Sequence, residues 1–192
     1  MPRHHLVTII AFAVFGLAAG VSSAGAATWR IVPSSSSIRF SSTQMGEPLK
    51  GEFQRFDGKI EFDPGASPQG KVRIEIDIAS IKTGTADRDT QALGNDWFAA
   101  RKSPTAMFSA QQFRRTGTDS YEAMGVLEIK DTSIPVTLPF TLRIDSSGLA
   151  EMHAQLSLNR LAFGLGAGSN SDPSVVAHDV AVDVMLHAQR AD

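Results

Sequence analysis

Residues able to do chemistry are few in this chain, and their spacing argues against most reactions. The segment Gly164-Leu165-Gly166-Ala167-Gly168 has the glycine density of a phosphate-binding loop. It lacks the following Lys and Ser/Thr, and Ser169 to Pro173 do not open a helix behind it, so no helix terminus would present its amides to a phosphate. Beyond residue 26 three histidines remain, His153, His178 and His187. They are far apart compared with the close ligand spacing of a zinc site, and His153 and His187 fall on the outward parity of their strands. No serine sits in a Gly-x-Ser-x-Gly elbow, the strained turn that exposes a nucleophile. There is no cysteine, which removes thiol catalysis, cysteine metal ligands and disulfides. Asp87, Arg88 and Asp89 could form an acid/base group, yet the same residues cap helices and pair across loops. No catalytic residue, metal ligand or cofactor is assigned, and a binding protein is expected rather than an enzyme.

The elements that must position any site are strands. Two alternating runs dominate, Tyr121, Ala123, Gly125, Leu127, Ile129 and then Val136, Leu138, Phe140, Leu142, Ile144. A period of two puts these on one face and the polar residues between them on the other. Residues 130–135, with Asp131, Ser133 and Pro135, suit a turn, which predicts a long hairpin with one apolar face. Other strands are expected at 28–32, 37–44, 51–63 with a break at Asp57-Gly58, 71–78, 105–115, 149–159 and 175–190. Between Thr85 and Ala100 the two-residue period disappears, and a short helical insert with Asp87 or Asp89 as N-cap is expected. Trp97 and Phe98 in that insert would plug it onto the strands or lid a cavity mouth. Long strands that are apolar on one face suit a closed antiparallel barrel, although a sandwich shares the pattern.

Composition bounds the rest. The chain has 192 residues, 42% of them hydrophobic and 20% charged, which is enough for one domain with a sizeable core. Arg3, His4 and His5 precede an uncharged run from Leu6 to Ala19, which ends in the small residues Ala24, Gly25 and Ala26. That is the layout of a secretory signal cleaved near Ala26, leaving an exported domain of residues 27–192, with a periplasmic or secreted protein expected. Removing residues 1–26 takes away Arg3 and no acid, so the net charge becomes −3. No basic excess is left to hold nucleic acid. No later stretch could span a bilayer, so stable membrane insertion of the mature chain is not expected.

Several segments together resemble a known family. Arg88-Asp89, Leu93, Asp96-Trp97-Phe98, Pro104 and Phe108 resemble the Arg-Asp, Leu, Asp-Phe-Phe and Pro-x-x-x-Phe signature of the YceI-like proteins. Leu127 to Lys130 with Pro135-Val136, and Asn159-Arg160 with Phe163-Gly164, are similar to two further segments of that family in the same order. The likeness covers essentially all of the chain after residue 26. Two positions depart from it: Ser36 stands where the family has His, and Asp131 where it has a turn Gly. The resemblance implies an all-β, up-and-down, eight-stranded antiparallel barrel of extended lipocalin-like form with a short helical insert. It also implies a polyisoprenoid or similar long-chain amphiphilic lipid, such as an isoprenoid quinone, held in the lumen of an exported protein, and no catalytic residues.

The inward positions expected to line such a lumen are Phe40, Val72, Ile74, Ile76, Leu127, Phe140, Leu142, Leu156 and Val182. The competing expectation is that they fill each other's space. The chain would then be a periplasmic scaffold or stress-response interaction module with a packed barrel and no ligand. Homodimerisation is left open by the sequence.

Overall fold

The computed structural model describes residues 26–65 and 69–191. The expected leader lies outside these residues except for Ala26. In chain order the elements are β1 (Thr28–Ile31), β2 (Ser37–Gln44), β3 (Glu47–Phe53), β4 (Phe56–Phe62), β5 (Gln69–Asp77) and β6 (Ile81–Lys82). They continue with α1 (Ala86–Leu93), β7 (Thr105–Arg115), β8 (Ser120–Ile129), β9 (Thr132–Ile144), β10 (Leu149–Asn159) and β11 (Asp179–Arg190). Eight strands close an antiparallel barrel in the order β1, β4, β5, β7, β8, β9, β10, β11 and back to β1. Closure gives every strand of this ring a partner on both sides, which is how an all-β chain hides most of its backbone donors and acceptors.

The remaining three strands extend the barrel upward. β11 offers one edge to two partners: Ala181 to Met185 pair with β2, and Ala188 to Arg190 pair with β1. β1 and β2 therefore occupy one place in the wall, divided by a 3-10 turn at Pro33–Ser35, where proline has no N–H to give a ladder. β3 and β6 follow outward from β2. We call the α1 end upper and the Trp29 end lower.

Local details revise three expectations. The β8–β9 turn is Lys130-Asp131 only, since Thr132 already pairs with Ile129 and Pro135 pairs with Val126 inside the ladder. Lys130, with φ +55°, takes the left-handed conformation, while Asp131 occupies the family's glycine position without needing it. The break between β3 and β4 falls at Gln54 and Arg55, with Asp57 and Gly58 inside β4. Gly58 serves packing: a Cβ there would lie 2.4 Å from the Arg73 carbonyl oxygen. The N-cap of α1 is Thr85, whose hydroxyl accepts from the Arg88 N–H. Asp89 instead accepts from the Thr83 N–H and hydroxyl at 2.7 and 2.8 Å and pairs with Lys82 at 3.2 Å. It ties α1 to the end of β6.

The lower end is closed by aromatic packing. Phe62, Phe113 and Tyr121 are buried, with ring centroids 4.8 Å apart for Phe62 and Phe113 and a stacked Tyr121–Phe140 pair at 5.4 Å. Such pairs add to the area they bury. Trp29 seals the neighbouring wall and donates its indole N–H to the Phe62 carbonyl at 2.8 Å.

Candidate functional site

Between these ends the barrel is hollow. A lower chamber of about 170 Å³ adjoins an upper one of about 190 Å³, and both are lined by Ile38, Ile76, Leu127, Leu158 and Val182. These five side chains form a waist between the two. The inward residues of β9 show why the space exists. Val136, Leu138, Phe140 and Leu142 point inside the barrel, line the lower chamber and are only half-buried, so each packs on one side and borders the hollow on the other. A packed core would bury them fully.

All nine side chains expected from the sequence border this space. Val72, Ile74, Ile76, Leu127, Phe140, Leu142, Leu156 and Val182 line the lower chamber or its waist. Phe40 lines the upper one, and Gly51 opposite leaves its ring room, because an added Cβ would lie 2.3 Å from the ring's Cζ. Leu142 lines the lower chamber and packs against the aromatic floor and the Trp29 group. Ile144, the last member of the alternating run, lies at the strand end and is 43% exposed.

The two chambers differ in chemistry. Every side chain lining the lower one is apolar apart from Trp29, whose N–H is already bonded. The upper chamber also meets Ser42, Gln44, Thr83, Arg88, Gln91 and Arg160. Arg88 and Gln91 are exposed on α1, so the upper chamber reaches solvent between α1 and the β2–β3 hairpin. The hollow therefore runs from a dry aromatic floor to a polar mouth. Buried apolar wall gains about 25 cal/mol per Å² of surface removed from water when an apolar chain covers it.

Arg160 stands in one of the family-like segments, but sequence reasoning gave it no role. It is 3% exposed, and its five N–H groups donate to the carbonyls of Ala177, Leu165, Gly166, Asn170 and Val176 at 2.5–3.1 Å. Burial pushes its pKa down, but a guanidinium stays charged. The glycine-rich stretch is thus a strap wound around one cation. Gly164, Gly166 and Gly168 all have positive φ, and a Cβ at Gly166 would lie 2.7 Å from Arg160 Nη1. The guanidinium also lies over Trp97, 5.4 Å from the ring centroid, a favourable cation–π placement. Trp97 and Phe98 line the upper chamber, and Phe98 meets Phe53 edge-on at 5.8 Å, so they both anchor the insert and wall the cavity.

The histidines have structural partners. His153 lies 2.8 Å from Asp183, and His187 contacts the Ser35 carbonyl at 2.7 Å and Glu151 at 3.3 Å. Ser36, standing where the family has His, binds both ways between β1 and β11: its hydroxyl accepts from the His187 N–H and donates to the Val32 carbonyl.

Comparison with known proteins agrees with this geometry. The UPF0312 protein plu2095 of Photorhabdus laumondii is 32% identical over 134 residues, 68% of this chain and 69% of that one. The match to the UPF0312 protein of Azotobacter vinelandii is 31% identical over 90 residues, 47% of each chain, so the chain spans about half the length of that curated relative. The crystal structure of Burkholderia cenocepacia BcnA superposes with a TM-score of 0.79 at 31% identity, covering 83% of this chain and 99% of that one. A polyisoprenoid binding domain from Saccharophagus degradans shares the fold with a TM-score of 0.70 at 14% identity, covering 85% and 98%. The YceI-like domain profile matches residues 29–188, and the chain belongs to the YceI-like family.

Proposed function

We propose that this chain is a non-enzymatic binding protein that holds a polyisoprenoid or similar long-chain amphiphilic lipid, such as an isoprenoid quinone, in its lumen. The observation that carries the reading is the half-buried inward face of β9 beside a two-chambered apolar hollow. The tail lies in the lower chamber and the head near the polar mouth, with the nine side chains from Phe40 to Val182 as its wall. The Saccharophagus degradans neighbour, described as a polyisoprenoid binding domain, supports the ligand class. Residues 1–26 act as a signal removed on export to the periplasm, leaving a single domain of residues 27–192. Among the described residues no helix is long and apolar enough to cross a membrane.

The test is purification without detergent, organic extraction and mass spectrometry. A co-purifying isoprenoid or long-chain lipid is expected in near-stoichiometric amount. Protein that is empty after purification, and that takes up no isoprenoid from phosphatidylcholine vesicles, refutes the reading.

A further inference from the structure

The wall of the barrel is unzipped along one side. β9 and β10 pair only from Ile144–Ala150 to Phe140–Ala154, although β9 runs back to Thr132 and β10 on to Asn159. The cause is legible in the backbone. Leu142 donates its N–H to the Asp119 carbonyl, so even-numbered residues of β9 face β8 and odd-numbered ones face β10. Continued at the same register, the ladder would next join residue 139 to Gln155 and later residue 135 to Asn159. Both odd positions are proline, and neither has an N–H to give. Pairing with β8 is untouched, because the same prolines turn their missing donors away from it.

This seam runs alongside the hollow. Val136 and Leu138 on one lip, and Leu156 and Leu158 on the other, all line the lower chamber. Outside, both lips are uncharged: Ser133, Pro135, Thr137 and Pro139 on β9, Gln155, Ser157 and Asn159 on β10, all exposed. Met124 and Val126 lie exposed on β8 beside them. The nearest charges stand one strand away, Glu128 opposite Ser133 and Asp183 bonded to Gln155, so an apolar chain crossing between the lips themselves desolvates only neutral groups.

We propose that the β9–β10 seam is a lateral gate through which the lipid tail passes sideways into the lower chamber while its head stays near the α1 mouth. This rests on the lipid-binding reading. The alternative is end-on threading, in which the whole tail must slip past the polar mouth and through the waist. The floor gives no third route, being closed by Phe62, Phe113 and Tyr121.

The test staples the seam. The chain has no cysteine, so Thr137→Cys with Ser157→Cys gives one unique pair, exposed on opposite lips. A short bis-methanethiosulfonate bridges them and a reductant releases them, so one folded protein serves as its own control. The probe is a farnesyl-tailed benzoquinone delivered from phosphatidylcholine vesicles. Uptake is read by quenching of Trp29 and Trp97, which line the lower and upper chambers.

Stapling is expected to slow both uptake and release by about tenfold or more, as for a step limited by gate opening, with affinity unchanged and speed restored by reductant. The double variant Pro135→Thr/Pro139→Thr, which supplies the missing donors, is expected to slow both rates in the same sense. Exchange at the unstapled rate overturns the gate in favour of the mouth. A loss of affinity carried by faster release, with uptake unchanged, overturns it too, since the lips would then be binding wall and not passage. Failure of the probe to enter the unstapled, wild-type and variant proteins alike refutes the lipid-binding reading itself.

Discussion

Val182 offers a sharp test of whether the waist is empty passage or filled core. It points inward from β11 opposite Phe40 and Leu156, borders both chambers and is only half-buried. Val182→Trp should fill the waist and divide the hollow in two. A short-tailed ligand confined to one chamber should keep its affinity. A long tail should lose the part that crosses the waist. One isoprene unit of five carbons gains about 4 kcal/mol at about 0.8 kcal/mol per carbon buried. If half of that gain is realised, the loss is about 2 kcal/mol, or about thirtyfold in Kd. Binding is measured by equilibrium dialysis of short-tailed and long-tailed isoprenoid quinones against vesicles, with bound lipid counted by mass spectrometry. Stability should barely move, because the indole enters vacant space. If the waist were packed, overpacking would cost about 1–3 kcal/mol, and Tm would fall by about 2–4 °C for each kcal/mol in a chain of this size. Ala181→Trp, on the exposed neighbouring position, is the control and should change neither quantity. A large fall in Tm with unchanged discrimination between tails would refute the reasoning.

Other expectations follow from the same geometry. Leu142→Trp should behave unlike Val182→Trp: Leu142 packs against the aromatic floor and the Trp29 group, so thermal unfolding should show an overpacking loss of about 1–3 kcal/mol. Arg160→Met should lower stability by at least about 3 kcal/mol in urea unfolding, because it strands three buried and two part-buried carbonyls, and Arg160→Lys should rescue little, lacking the planar fork. Hydrogen bonds from the Thr83 side chain and backbone, helped by Lys82, hold the Asp89 carboxyl below its ordinary pKa of 3.8. A depressed carboxylate contributes stability that is complete above the unfolded pKa and is lost as pH falls through the folded one. Asp89→Asn should therefore lower Tm at neutral pH and flatten the loss of stability below about pH 4, with lipid content of the folded fraction nearly unchanged. Intact-mass analysis of exported protein should give a chain beginning at Ala27, and retention of residues 1–26 on a membrane pellet would refute cleavage.

What the sequence could reveal was set by how local the physics is. Inward and outward alternation is a property of each strand alone, so the runs from Tyr121 to Ile144 and from Lys71 to Ile78 announced both the wall and its liners. The nine positions that border the hollow and are proposed to touch the lipid were each legible by parity. Arg160 was not, because its five acceptors come from Leu165 to Ala177 and converge only through the left-handed glycines of the strap. Its sequence signal was the glycine spacing itself, which resembles a phosphate loop until the cation inside is seen. The helix cap was misplaced for a related reason. Asp89 and Thr85 are both good capping residues, and only the position of β6 decides that Asp89 is taken by Thr83.

Pro135 marks the limit of that kind of reading. In sequence it sits just past Lys130-Asp131 and reads as part of a turn, since proline there is ordinary. Parity along a strand tells whether a side chain points in or out, but the in-plane direction of an N–H also depends on which neighbour lies on which side. Proline at an odd position of β9 removes a donor toward β10 and at an even position would remove one toward β8. The β8–β9 hairpin would then fail at its centre, where Leu127, Val136 and Leu138 line the hollow. The chain places both prolines on the side where pairing can be given up without loss to the hairpin. The same spacing that keeps β8 and β9 joined holds β9 and β10 apart, and it does so along the flank of the lower chamber. Substituting threonine at only one of the two positions should therefore close only part of the seam. Pro139→Thr, adjacent to the last existing pair, should extend hydrogen-exchange protection to β10 residues beyond Ala154, whereas Pro135→Thr alone should not, because the ladder cannot reach it past Pro139. Equal protection from either single change would show that something other than these prolines ends the ladder.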